Sequence, residues 1–205
     1  MFETFRKAVG AGLLIGIGAT VFLSCDSKIA GALFFCVGLF AICAFGLNLF
    51  TGKIGYSISN KDHPNCEVIW LGNLVGCILC CLPVRLAKPA LAEKALLLVL
   101  PKLDQQIWQT VVLGIFCGVL MYVAVDNYKN FQGDFGKVIG IILGVSVFIL
   151  CGFEHSIADM CYCIYAVDSV ETALRSLLFL VIVTVSNGAG SLLFRYLVQG
   201  RAKKS

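Results

Sequence analysis

Six long stretches of this chain carry no charged residue: 8–25, 29–52, 68–84, 107–125, 138–153 and 176–194. A bilayer core of about 30 Å takes roughly 17–25 helical residues to cross, and each stretch meets or approaches that length. The fifth reaches it only when Glu154, His155 and the apolar run to Val167 are added. The pattern predicts six transmembrane helices joined by polar segments. A further apolar run, 95–101, is too short to span and reads as an interfacial or re-entrant piece. Stretch 8–25 has the length and character of a signal-peptide core. No small-x-small cleavage site follows it before the next span, so it is read as the first helix.

Two of the stretches are interrupted in the same way. The second reads Gly46-Leu47-Asn48-Leu49-Phe50-Thr51-Gly52-Lys53, and the fifth reads Cys151-Gly152-Phe153-Glu154-His155-Ser156-Ile157-Ala158-Asp159. Each sets polar residues beside a glycine at membrane depth. The third and sixth also echo each other: Asn73 precedes Gly76 by three residues, and Asn187 precedes Gly190 by three. The chain therefore reads as two copies of a three-helix unit, one over about 6–84 and one over about 102–198. An odd number of helices per copy forces the copies into opposite orientations. Inverted repeats with paired broken helices point to a transport pathway at the midplane, since irregular backbone at that depth survives only where protein or water satisfies it. The alternative is that Gly and Thr simply kink closely packed helices. Gly10, Gly12, Gly16 and Gly18 on the first helix serve close packing and carry no chemistry.

Composition narrows the class. Of 205 residues 59% are hydrophobic and 14% charged, and mean hydropathy is +0.91. A soluble domain carries about 25% charge. The excess excludes an ordinary soluble enzyme, a disordered chain and a nucleic-acid binder. The net charge of +4 sits mostly in loops and tails, where it sets topology. With six spans, one side holds Arg6, Lys7, Lys53, Lys61, Lys129, Lys137, Arg195, Arg201, Lys203 and Lys204; the other holds Lys28, Arg85, Lys88, Lys94, Lys102 and Arg175. The positive-inside rule places both termini in the cytoplasm of a multi-pass protein of the cell (inner) membrane. The eleven cysteines are odd in number and many lie in apolar runs, which fits reduced thiols better than a disulfide scaffold. Cys77, Cys80 and Cys81, or Cys161 and Cys163 near His155, could hold a metal, but no fourth ligand lies nearby in sequence. The reading is of no metal and no cofactor.

The interrupted segments carry a resemblance. Phe50-Thr51 after a glycine-rich helix, Trp70-Leu71-Gly72-Asn73, Leu113-Gly114-Ile115, and above all Gly152-Phe153-Glu154-His155-Ser156-Ile157-Ala158, with Asn187 and its trailing glycines, resemble the formate/nitrite transporter family over nearly the whole chain, from about Arg6 to Leu197. The resemblance implies an all-α, aquaporin-like protomer of six helices with helices two and five broken. It implies a single transmembrane channel domain (1–205), assembly as a homopentamer in the lipid bilayer, and passage of small monovalent anions such as formate, nitrite or hydrosulfide. By motif position Thr51 would sit on the loop breaking helix two and His155 at the break in helix five. Phe35, Leu39 and Phe148 would form apolar constrictions, Lys102 would be the vestibule lysine, and Asn73 and Asn187 would be paired pore asparagines. The chain departs from the motif at Asp159, where Asn is usual, at Gly118, often Asn, and in its short loops and tails.

An ion entering an apolar constriction loses its hydration, which is prohibitive unless the charge is paired or neutralised. Lys102 can attract it. His155 can share or donate a proton, since its ordinary pKa of about 6.5 lets it switch. Thr51 can donate a hydroxyl hydrogen bond from the opposite break. Glu154 serves the pathway, caps a half-helix or holds Lys102. Asp159, four residues from His155, either acts on that ring or pairs with Lys102. Ser156 suits an N-cap. The expected function is an anion channel or transporter for formate or nitrite, not an enzyme. The alternatives are a hydrosulfide channel, a neutral-solute pore (the chain lacks an Asn-Pro-Ala pair) and a membrane redox protein built on Cys161, Cys163 and His155.

Overall fold

The computed structural model describes residues 1–57 and 64–199, and helices follow the apolar runs. They are α1 (Phe2–Ser24), α2 (Lys28–Ala44), α3 (Phe50–Lys53), α4 (Cys66–Ala87), α5 (Ala90–Leu103), α6 (Ile107–Asn130), α7 (Asp134–Cys151), α8 (Ser156–Ala166) and α9 (Val170–Gln199), with a 3₁₀ turn at Ile54–Tyr56. Lys61, Arg201, Lys203 and Lys204, assigned to one side by charge, lie outside the described residues.

Among the described residues five helices, α1, α4, α6, α7 and α9, are long and apolar enough to cross a membrane. α2 has only 17 residues, because Gly46 turns the chain at φ +62°. Gly152 does the same after α7 at φ +69°, a left-handed conformation that glycine adopts without strain. Each turn closes with a bond back across five residues, Leu47 N–H to Ile42 C=O and Phe153 N–H to Phe148 C=O, both at 2.9 Å. This is the Schellman closure that ends helices. The two turns lie 106 positions apart. The apolar run 95–101 belongs to a longer element than its hydropathy indicates. Glu93, Lys94 and Lys102 are good helix formers, and Pro89 at the N-cap has no N–H to leave unpaired, so α5 reaches 14 residues.

Packing follows one plan in both halves. α1 packs on α2 and most extensively on α4; α6 packs on α7 and most extensively on α9; α2 meets α7 between the halves. Close approach is made possible by glycine. A Cβ on Gly12 would strike the Asn73 backbone carbonyl, and a Cβ on Gly118 would strike that of Asn187. The outer surface is apolar, with Leu33, Phe34, Leu79, Phe116 and Leu177 exposed, as lipid contact requires. Gly12→Ala is expected to destabilise the protein by about 1–3 kcal/mol through overpacking against rigid backbone. Gly10→Ala is the control, because its added Cβ would meet only Leu47 side-chain atoms at 3.4 Å or more. Thermal unfolding in detergent should lower Tm for the first and leave the second unchanged.

Candidate functional site

Two buried asparagines hold the starts of α3 and α8. Asn73 on α4 accepts the Phe50 N–H through Oδ1 at 2.9 Å. Its Nδ2 donates to the carbonyls of Ala8 at 2.8 Å and Asn48 at 2.9 Å. Asn187 on α9 accepts the Ser156 N–H at 2.9 Å and donates to the carbonyls of Gly114 and Glu154, both at 2.8 Å. Phe50 and Ser156 are the first residues of their helices, where N–H groups have no partner within the helix. Both N–H bonds of each amide are thus used. The resemblance makes Asn73 and Asn187 pore asparagines; here they hold backbone and have no hydrogen to offer an ion.

His155 stands in extended backbone (φ −108°, ψ 109°) as the N-cap of α8. Its Nδ1 accepts the Ala158 N–H at 3.1 Å. Ser156, the expected cap, is instead the first helical residue, and its hydroxyl has no partner. The imidazole wins because the Gly152 turn sets His155, one residue earlier, at the non-helical position a cap needs. A ring nitrogen that accepts an N–H carries no proton, so the neutral ring bears its hydrogen on Nε2. Nε2 lies 2.8 Å from Thr51 Oγ1. Nε2–H donates to Thr51, whose own O–H is left to donate elsewhere. Both residues are buried, His155 to 1% and Thr51 to 0% exposure. Thr51 lies in the first turn of α3, not on a loop, because the helix resumes one residue earlier, where Asn73 holds Phe50.

Lys102, in the last turn of α5, pairs with Glu154 and, at 3.1 Å, with Asp159. Glu154 Oε1 also accepts from Gln105 Nε2 at 3.0 Å, and Gln105 Oε1 accepts the Thr110 hydroxyl at 3.1 Å. Buried charges persist when paired and hydrogen-bonded in this way. Asp159 Oδ2 alone in this network has no partner. Lys102, Glu154, His155 and Asp159 line a cavity of about 210 Å³, walled on its apolar side by Phe148 and Leu98. Lys28 stands at its rim with Nζ on the Leu150 carbonyl at 3.1 Å.

Apolar residues separate this cavity from recesses at the other end of α2. Phe35 and Phe148 meet edge to face with ring centroids 6.2 Å apart, and Phe148 lies 5.3 Å from the His155 ring. Leu39, one turn beyond Phe35, is equally buried. At the Ala44 end of α2 a recess of about 70 Å³ is lined by Leu49, Val125, Lys53 and Lys129. A wider one of about 540 Å³ shares Lys53 and Lys129 and adds Tyr56 and Asn48. α2 is about 25 Å long at 1.5 Å per residue, so the two mouths sit on opposite sides of the protein.

Gln105 and Leu49 escaped sequence reasoning. Gln105 is three residues from Lys102, between the run 95–101 and the span 107–125. Leu49 precedes α3 as His155 precedes α8, and the shared offset of 106 positions was the signal. Among the described residues no group of three or more His, Cys, Asp or Glu is arranged to hold a metal ion. All eleven cysteines are free thiols. Cys77 donates to the carbonyls of Gly12 and Ile157, and Cys161 to that of Ile157.

The family model described as "Formate/nitrite transporter" matches residues 1–201. The formate channel FocA of Escherichia coli K12 is 28% identical over 185 residues, which cover 77% of this chain and 64% of that protein. The uncharacterized transporter YwcJ of Bacillus subtilis is 27% identical over 181 residues, covering 76% and 70%. The chain spans under two thirds of the length of the formate channels it matches. Among solved structures, a "pentameric formate channel with formate bound" superposes with TM-score 0.76 at 24% identity, covering 97% of this chain and 94% of that one. An "FNT family ion channel" gives 0.80 at 23%, covering 98% and 88%.

Proposed function

Because the chain belongs to the formate/nitrite transporter family, whose members are channels or transporters, we propose that it is a membrane channel for small monovalent anions, with formate or nitrite as cargo. One observation carries this reading: the Thr51–His155 pair lies buried beside Phe148 and Phe35, between two recesses, each with lysine in its lining, that open at opposite ends of α2. The rings exclude water and hydrated ions. The pair offers the Thr51 O–H, oriented by the His155 Nε2–H, to an ion that has shed its water.

The same reading treats the chain as one channel domain of six spans. α2 with α3, and α7 with α8, count as two broken spans in inverted repeats over about 6–84 and 102–198. The recurrence of the Gly46 and Gly152 turns, the Gly12 and Gly118 contacts and the two asparagine clamps supports it. Both termini face the cytoplasm by the positive-inside count, and the assembly is a homopentamer, as named for the formate-bound relative. His155 acts as a neutral donor through Nε2. To hand over a proton it would first have to become imidazolium, with a hydrogen on Nδ1, where the Ala158 N–H already sits at the positive end of a helix dipole.

The test is flux into proteoliposomes of formate, nitrite and hydrosulfide at two pH values, beside glycerol as a neutral solute. Saturable flux of an anion without glycerol flux is expected. Glycerol flux alone, or no flux from folded protein, overturns the reading; hydrosulfide flux alone replaces its substrate.

A further inference from the structure

The buried charges of the cavity at Lys102 do not balance. Lys102 contributes one positive charge; Glu154 and Asp159 contribute two negative ones at 1% exposure each. The elements packed around Asp159 supply nothing to close the difference. The segment before α8 adds His155, neutral by its hydrogen bonds. α8 adds Tyr162 and Cys163, α6 adds Cys117, and α4 adds Cys77 and Cys81, none of which can carry a positive charge. α1 carries no ionisable side chain between Lys7 and Cys25. Arg175 of α9 is taken by Asp104 and the Leu103 carbonyl. Lys28 keeps its charge, but it stands exposed at the rim with Nζ on the neutral Leu150 carbonyl, where water screens it from the buried groups. One proton restores neutrality, and geometry says where it sits. Both Glu154 oxygens already face donors, from Lys102 and Gln105. Asp159 Oδ1 faces Lys102, while Oδ2 is buried, lacks a partner and belongs to a residue of the cavity wall.

We propose that Asp159 holds a dissociable proton on Oδ2 and delivers it to an anion in this cavity, so that the ion passes the apolar rings as its neutral acid. The inference rests on the channel reading above and names the proton donor within it. In the step, the Oδ2–H bond breaks as an anion oxygen takes the proton. Asp159 is left as a carboxylate paired with Lys102, and water at the mouth returns a proton to it. One proton moves with each anion. Burying a lone charge between Phe148 and Phe35 is thereby avoided, and the imidazole of His155 keeps one protonation state throughout.

The test uses Asp159→Asn, which keeps the shape and an oxygen for Lys102 but no dissociable proton. Parent and variant are reconstituted with a pH dye inside and the membrane potential set by potassium and valinomycin; formate is the probe and empty liposomes are the blank. For the parent, about one proton is expected per formate, at a rate insensitive to potential. In the variant, lumen acidification per formate should fall at least fivefold and the remaining flux should follow the potential. An unchanged proton ratio and an unchanged insensitivity in the variant overturn the proposal while leaving the channel reading intact. Absence of anion flux in the folded parent overturns the channel reading and the proposal with it. Infrared spectra of the parent decide the matter even if the variant does not fold. The C=O stretch of a buried protonated carboxyl, shifting in D₂O, is expected near neutral pH, and its absence refutes the assignment.

Discussion

Replacing Asn187 with alanine is expected to leave little folded protein. The side chain is 0% exposed, and one amide serves the Ser156 N–H and the carbonyls of Gly114 and Glu154. Alanine strands the Ser156 N–H and the Glu154 carbonyl, while the Gly114 carbonyl keeps its bond within α6. Each buried polar group left unpaired costs about 1–3 kcal/mol, so the loss is roughly 2–6 kcal/mol, the upper end being a rare size for one substitution. Asn187→Asp separates the parts of the clamp, because it still accepts from Ser156 but cannot donate to the two carbonyls. The expected order of melting temperature in detergent is parent, then Asp, then Ala, with Ala recovered mainly as aggregate on size exclusion. An alanine variant that melts with the parent would show that α9 does not hold α8.

Substituting His155 is expected to affect transport more than folding. Its Nε2–H holds Thr51 Oγ1 so that the Thr51 O–H is the donor left to an ion in the proposed pathway, and Nδ1 caps α8. A hydrogen bond to a charged partner is worth about 1.5–3 kcal/mol, so His155→Ala should slow anion flux by roughly 10- to 100-fold. The lost cap removes about 1 kcal/mol of stability. His155→Asn tests the two roles together, since asparagine is among the best N-cap residues and keeps an N–H donor. It should retain the stability of the parent and much more flux than alanine. Stopped-flow flux read beside melting temperature distinguishes the roles; equal flux in parent and alanine variant would remove the ring from the pathway.

Several features were legible in the sequence because they depend on composition over many residues or on a local string. The helices followed uncharged runs, since backbone in lipid has no other way to satisfy itself. The partnership of Lys102 with Glu154 and Asp159 was among the roles weighed for those residues, as few buried charges can persist alone. The features that escaped depend on backbone position to within one residue. Ser156 looks like a cap, yet the Gly152 turn moves the cap to His155. Thr51 looks like a loop residue, yet Asn73, distant in sequence, starts the helix at Phe50. α5 was undersized because hydropathy marks only its apolar centre. Gln105 gave no signal, because a glutamine between two helices is ordinary until its neighbours are known.

The two asparagine clamps also separate two demands that small proteins often place on the same residues. Backbone at the start of α3 and α8 is held from outside, by α4 and α9, so position 49 is relieved of anchoring the chain and position 155 keeps only the cap of α8. One carries leucine and the other histidine, in otherwise matching surroundings. Such a scaffold can explore new filters without first finding new ways to stay folded. Substitutions at positions 49, 51 and 155 are the ones that evolution, or a designer, could vary most freely to change what passes.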